Sequence, residues 1–322
     1  MVSVRGRKTI LLGAALLWGC AAFPPLPPSA LEPEWQVHRL EAAAIRESSG
    51  LVASRQYPGI FWTHNDSGDV PRIFAITAEG GLVAEFRVEG ALHRDWEDIA
   101  ADPDGNLYVG DFGNNFNDRR DLRVYRIPEP DPAGGDGVAW ADQELPFRYA
   151  DQRAFPDPKA RNFDAEALFW MDGGLVILTK HRSDTRSQLY RLPAVPLPGG
   201  EERVLEPLAR LEMGGSRARF FGNVSGADLH PEGRLLAVLT YSAIHLYAAG
   251  GAPDTPFREV RRIELRRRRT RQAESIAWDG DDLLFGNEQG YLFRIPDVGS
   301  GTSPSTGSPS SRDRTRIGML YP

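Results

Sequence analysis

The feature that most restricts this chain is an internal repeat. A small or acidic cluster leads into an apolar run, a hairpin turn follows, then a second apolar run and an aromatic-aliphatic segment. The five occurrences open with "ESSGLVAS", "DWEDIAAD", "DAEALFWM", "VSGADLHP" and "AESIAWDG". They continue through "GIFWTHND", "NLYVGDFG", "GLVILTKH", "RLLAVLTY" and "DLLFGNEQ", and reach "RIFAI", "RVYRI", "QLYRL", "AIHLY" and "YLFRI". Aromatic and β-branched residues fill these runs and turn residues bound them, which is the pattern of short strands. "DPDGN" and "HPEGR" read as hairpin turns in which Gly supplies a positive φ. Repeats of about 50 residues with three or four strands each cannot bury their faces alone, and they assemble radially as the blades of a β-propeller.

A further strand follows four of the repeats: "GLVAEFRV", "FRYAD", "LARLEM" and "REVRRIEL". The fifth repeat lacks one, and "WQVHRLEA" (residues 35 to 42) precedes the first. The expected architecture is therefore all-β, with five blades of about four strands and a ring closed by the N-terminal strand, which removes an open seam. Six blades is the alternative, because residues 129 to 150 and 193 to 208 are long enough to hide more strands. The 33 glycines and 25 prolines agree with a turn-rich, helix-poor chain.

In such a ring the first strand of each blade lines the central channel. Aligning the five motifs places one polar side chain per blade toward the axis: Ser49, Glu97, Glu166, Ser225 and Glu274, spaced by 48, 69, 59 and 49 residues. Three converging glutamates repel one another, so they take up protons or hold a cation. Oxygen donors alone suit a hard ion: calcium accepts about 6–8 oxygens, whereas magnesium wants a stricter octahedron. Zinc is disfavoured, since no His or Cys stands at these positions. The competing reading is a wet polar channel whose carboxylates bond backbone amides. Asp95 and Asp98 are expected to bond backbone or adjacent blades, with Trp96 packed between blades.

Ser49 in "ESSGL", Glu97 in "WEDIA", Glu166 in "AEALFW", Ser225 in "SGADLHP" and Glu274 in "ESIAW" resemble the calcium-activated nucleotidases, the apyrases of five-bladed propeller fold. The resemblance implies a central calcium held by this Ser, Glu, Glu, Ser, Glu series, and "HNDSG" resembles that family's acidic turn. "WTHNDSG", "DWEDIA", "YVGDFGNN", "RVYRIPEP", "DAEAL", "SGADLHPEGR" and "ESIAW" resemble an uncharacterised group of bacterial exported propellers, which implies fold and export but no activity.

The turn after each second strand reaches one mouth of the channel. It carries His64, Asn65 and Asp66, then Asp111 and Asn114, then Lys180 and Arg182, with Arg119 in the polar loop "FGNNFNDRRDL". A phosphate-directed hydrolase would use Asp66 or Asp111 to orient or deprotonate water. It would use Lys180, Arg182 or Arg119 to meet developing charge, with His64, Asn65 and Asn114 contacting substrate. Turn chemistry alone also explains Asn, Asp, Ser and Gly there. The full set of phosphate-binding basic residues expected of a nucleotidase is not found. A small molecule or a protein is the expected ligand at the mouth.

Arg5, Arg7 and Lys8 precede the apolar "TILLGAALLWG", which ends at Cys20, the single cysteine. This reads as a signal peptide over residues 1–19, and "LWGC" resembles the bacterial lipobox. An ordinary signal peptide cut nearby, or an uncleaved anchor, is the alternative. Lipidation would account for a lone cysteine in an exported chain. Residues 20–34 then form a Pro-rich tether, residues 35–298 the propeller and residues 299–322 a low-complexity tail. The expectation is a monomeric, membrane-anchored lipoprotein of the bacterial envelope that acts as a scaffold or binding module, its central ion clipping the blades together. A calcium-dependent hydrolase of phosphoesters or phosphoanhydrides is the alternative. Loss of residues 1–19 removes three basic residues and no acid, moving the formal charge from −6 to −9. An acidic chain is poorly suited to neutralising nucleic-acid phosphates.

Overall fold

A computed structural model describes residues 35–214, 223–252 and 255–300. Cys20, the signal segment, the tether and the tail beyond residue 300 lie outside the described residues. Strand β1 (Gln36–Arg39) comes first in the chain. Blade 1 follows with β2 (Ser48–Ala53), β3 (Ile60–Asn65), β4 (Arg72–Thr77) and β5 (Leu82–Glu89). Blade 2 contains β6 (Trp96–Ala101), β7 (Asn106–Asp111), β8 (Arg123–Pro128) and β10 (Gln143–Tyr149), with β9 (Gly137–Trp140) between the last two. Blade 3 contains β11 (Asp164–Met171), β12 (Gly174–Lys180), β13 (Arg186–Pro193) and β15 (Pro207–Glu212), with β14 (Arg203–Leu205) before β15. Blade 4 is β16 (Val224–Leu229), β17 (Leu235–Thr240), β18 (Ala243–Ala252) and β19 (Thr255–Glu264). Blade 5 is β20 (Ala273–Asp279), β21 (Asp282–Asn287) and β22 (Tyr291–Ile295).

The protein is an all-β, five-bladed propeller. Its fifth blade is completed by β1, which pairs antiparallel with β22 from Gln36↔Arg294 to Arg39↔Tyr291. The first and last strands thus close the ring, as the missing strand of the fifth repeat predicts. The two long connections do contain extra strands, but no sixth blade. Strand β9 adds in parallel to the outer edge of β5 in blade 1, and β14 adds in parallel to β10 in blade 2. Each connection thickens the blade before it.

Inner strands are buried on both faces, which is why they read as near-continuous apolar runs, whereas outer strands such as β5 and β10 alternate. The core is five apolar clusters, one in each gap between neighbouring blades. Trp62, Ile73, Trp96, Ile99 and Val109 fill the gap between blades 1 and 2. Leu51, Phe61 and Phe74 meet Ala277, Leu284 and Leu292 where blade 5 meets blade 1. Trp96 is fully buried between blades, as expected from its motif. The hairpin glycines Gly105 and Gly233 take φ of 82° and 70°, a region that favours glycine.

Candidate functional site

The ladder between the first and second strands of every blade slips by one residue, and it slips at the same place each time. The breaks fall between Ser48 and Gly50, Trp96 and Asp98, Ala165 and Ala167, Val224 and Gly226, and Ala273 and Ser275. The skipped residues are Ser49, Glu97, Glu166, Ser225 and Glu274. A β-bulge leaves one residue without a ladder partner and re-aims its side chain. The five positions aligned from the sequence are thus the five bulges.

The hydroxyl members fasten blades together. Ser49 donates to the Glu97 carbonyl at 2.9 Å and Ser225 to the Ala273 carbonyl at 2.8 Å. The glutamates gather at one end of the channel. One ligand oxygen each from Asp66, Asp95 and Glu97 lies within 4.8 Å of the others, and so do those of Glu97, Asp164 and Glu166. Glu97 belongs to both groups. It is 7% exposed and its carboxylate makes no hydrogen bond or ion pair among the described residues.

A second tier comes from the residue that follows the partner of each pre-bulge residue: Asp66, Phe112, Lys180, Tyr241 and Glu288. Four of these face the carboxylates. In blade 2 the tier is interrupted, since Phe112 is buried in the gap toward blade 3. Gly113 follows it, and a Cβ there would lie 2.1 Å from Glu97 Oε1 and 2.5 Å from the Asp95 carboxyl. Blade 2 thereby gives up a rim side chain to make room for two carboxylates.

Lys180 Nζ lies 2.5 Å from Glu166 Oε1, with side chains 8% and 5% exposed. Burial alone would lower the Lys180 pKa, but Glu166, Tyr241, Asp164 and Glu97 outweigh it and hold the ammonium charged. Burial pushes Glu97 well above the usual carboxylate range; burial acts the same way on Glu166, but the Lys180 ammonium in direct contact keeps that carboxyl ionised. Carboxylate neighbours add to the upward push in each case. Burial, with Asp66 next, pushes Asp95 up to about 6. Burial also raises Asp66. In blade 5, burial pushes Glu274 up to about 8, and burial with repulsion from Glu47 and Asp66 pushes Glu288 to about 7. Such a mouth gains from any cation that enters it.

The remaining expected site residues surround this group as supports. Asn65 Oδ1 accepts from the Arg46 and Glu47 amides, at 2.8 and 3.2 Å. Asp111 Oδ1 accepts from the Asp95 amide at 3.0 Å and pairs with Arg119 at 3.1 Å. Asn65 and Asp111 share a register position with Asn287, whose Nδ2 donates to the Thr270 carbonyl. All three side chains tie down the segment that leads into an inner strand. Arg119 also donates to the Gly113 and Asp121 main chain, so it staples the 112–122 loop. Asn114 bridges blades: its amide donates to Asp164 Oδ1 and its Nδ2 to the Phe163 carbonyl. Arg182 reaches Asp164 Oδ2 at 2.7 Å and also Asn115. His64 is wholly buried edge-on to Trp96, and burial lowers its pKa to about 4, so it is neutral.

Two outcomes differ from the sequence reading. Asp98 does bond backbone, accepting from Ile99 and Leu168 amides at 2.8 Å, but Asp95 leaves its carboxylate with Asp66 and Glu97. Glu288, in the turn after the second strand of blade 5, joins Glu274 through Gln272, whose Nε2 donates to Glu288 Oε1. A signal for both lay in the alignment, because Asp95 stands two residues before a bulge and Glu288 directly after a second-strand end.

No protein-family model matches the chain, and no curated protein matches it in sequence. Among solved structures, the PQQ-bound aldose sugar dehydrogenase of Streptomyces coelicolor is 14% identical over 81% of this chain and 97% of that one, with a TM-score of 0.44. The periplasmic gluconolactonase of Pseudomonas aeruginosa is 16% identical over 79% of this chain and 83% of that one, with a TM-score of 0.43. At these values the similarity carries nothing about activity.

Proposed function

We propose that the protein is an exported, lipid-anchored binding propeller whose channel mouth takes a hard divalent cation of the calcium type. The observation that carries this reading is Glu97, a buried carboxylate without a partner among the described residues that is shared by two carboxylate groups. The donor set fits: it is all oxygen, it is unmatched in charge, and Gly113 keeps its space clear. Asp66, Asp95 and Glu97 would hold the ion, while Lys180 already neutralises Glu166. When bound, the ion supplies a positive centre that attracts an anionic or hydroxyl oxygen.

The chain's own residues do the rest. Ser49 and Ser225 lock neighbouring blades, and Asp111 with Arg119 fixes the loop beside Glu97. Lys180 presents the Tyr241 ring with a cation 5.8 Å from its centroid, closing one wall of the mouth. Calorimetric titration of chelator-treated protein with calcium tests the site: the reading expects binding that Glu97→Gln abolishes. The tether is tested by fatty-acid labelling in a bacterial host, where the label is lost in Cys20→Ser.

One observation favours a second reading, a calcium-dependent hydrolase of phosphoesters or phosphoanhydrides. Gln272 bridges Glu274 and Glu288 at the mouth, and burial raises both toward neutrality, where a general acid and base work best. Screening nucleotides and phosphoesters with calcium present separates the two. Turnover lost in Glu288→Gln, with calcium binding kept, selects the enzyme.

A further inference from the structure

We propose that the outer edge of blade 4 is a docking surface for an anionic lipid membrane. Residues 258 to 271 hold eight arginines and two glutamates, in a chain of net charge −6. Arg258, Arg261 and Arg268 are exposed and have no ion-pair partner among the described residues. Register puts Arg258 opposite Ala248 and Arg261 opposite Leu246, so both lie on the side of β19 that faces blade 5. Val260 and Ile263, on that same side, pack in one cluster with Trp35 and Val37. The basic edge therefore adjoins the place where the chain joins the propeller.

Protection of an edge strand against pairing needs only a charge or two. It does not account for Arg268, which follows the strand's end at Glu264 and is exposed. Glu259 is engaged by His245 and Glu264 by Arg262, so the two acids do not quench the three free arginines. Fourteen residues separate Cys20 from Trp35, a reach of at most about 50 Å. A lipid on Cys20 would hold this edge near headgroups, and a single chain with a basic patch binds far more firmly than either alone. The inference rests on the proposed tether for proximity only and is independent of the channel mouth.

The test uses the full chain carrying Cys20→Ser, sedimented with vesicles of phosphatidylcholine alone or with phosphatidylglycerol added. Tighter binding to the anionic vesicles is expected, lost in high salt. Arginines near such a surface contribute about fivefold each. Arg258→Gln, Arg261→Gln and Arg268→Gln together should thus weaken anionic binding about a hundredfold. A matched triple at Arg87, Arg94 and Arg148, exposed on blades 1 and 2, should leave it unchanged. Equal binding to both vesicles, equal loss in the two triples, or equally tight binding to duplex DNA overturns the proposal. Fatty-acid labelling of the unsubstituted chain reports on the tether separately.

Discussion

Lys180 and Glu166 stand on adjacent strands of blade 3, and their charges meet 2.5 Å apart in the channel wall. The pair removes one glutamate from the open carboxylates and leaves Glu97 as the unmatched one. Removing one partner of a buried pair strands the other charge. Lys180→Met should cost about 3–5 kcal/mol in chemical denaturation with chelator present. Millimolar calcium should recover part of that loss; a loss unaffected by calcium would mean that the mouth does not take up the ion.

Gly113→Ala separates site from fold. The new Cβ meets the free ends of Glu97 and Asp95, which can move, so melting in chelator should change little. Calcium affinity should fall about 10–100-fold, as for other losses of ligand positioning. Unchanged affinity in a calorimetric titration counts against ligation by these two residues.

Ser225→Ala should behave in the opposite way. Its hydroxyl is committed to the Ala273 carbonyl, so the loss is about 1 kcal/mol of stability. Calcium affinity should be retained. A large affinity loss would make Ser225 a ligand in addition to a blade fastener.

The pH dependence has a definite sign. Glu274 and Glu288 are raised from 4.5 to about 8 and about 7, so the folded chain keeps protons that the unfolded chain has released. Without a cation, these two groups contribute stability that is lost as pH rises from about 4.5 to about 8. Ligation requires deprotonated carboxylates, so calcium should raise the melting temperature more at pH 8 than at about pH 5. Buried His64, lowered to about 4, works in the opposite sense below about pH 6.5. The check is therefore the melting series of the parent in chelator against Glu274→Gln with Glu288→Gln: the parent should fall more steeply, and equal slopes contradict the burial of these groups.

The bulge residues were legible in sequence because a bulge stands immediately before a regular alternation. Ser49, Glu97, Glu166, Ser225 and Glu274 therefore align on the apolar residue that follows. The closing strand was legible from an absence in the fifth repeat. Strands β9 and β14 were visible only as excess length, since three or four residues added in parallel to an outer edge carry no hairpin signal. The Lys180–Glu166 pairing and the shared position of Asn65, Asp111 and Asn287 needed the register of each ladder. Composition at the mouth does not distinguish a supporting Asp111 from an open Asp95; hydrogen bonding to Arg119 and to the Asp95 amide does.

The most direct measurement is the calcium content of purified protein after dialysis against buffered calcium, with Glu97→Gln beside it. About one ion per chain is expected, absent in the variant, with a matching rise in melting temperature in the parent alone. No bound calcium and no thermal shift at millimolar calcium would contradict it.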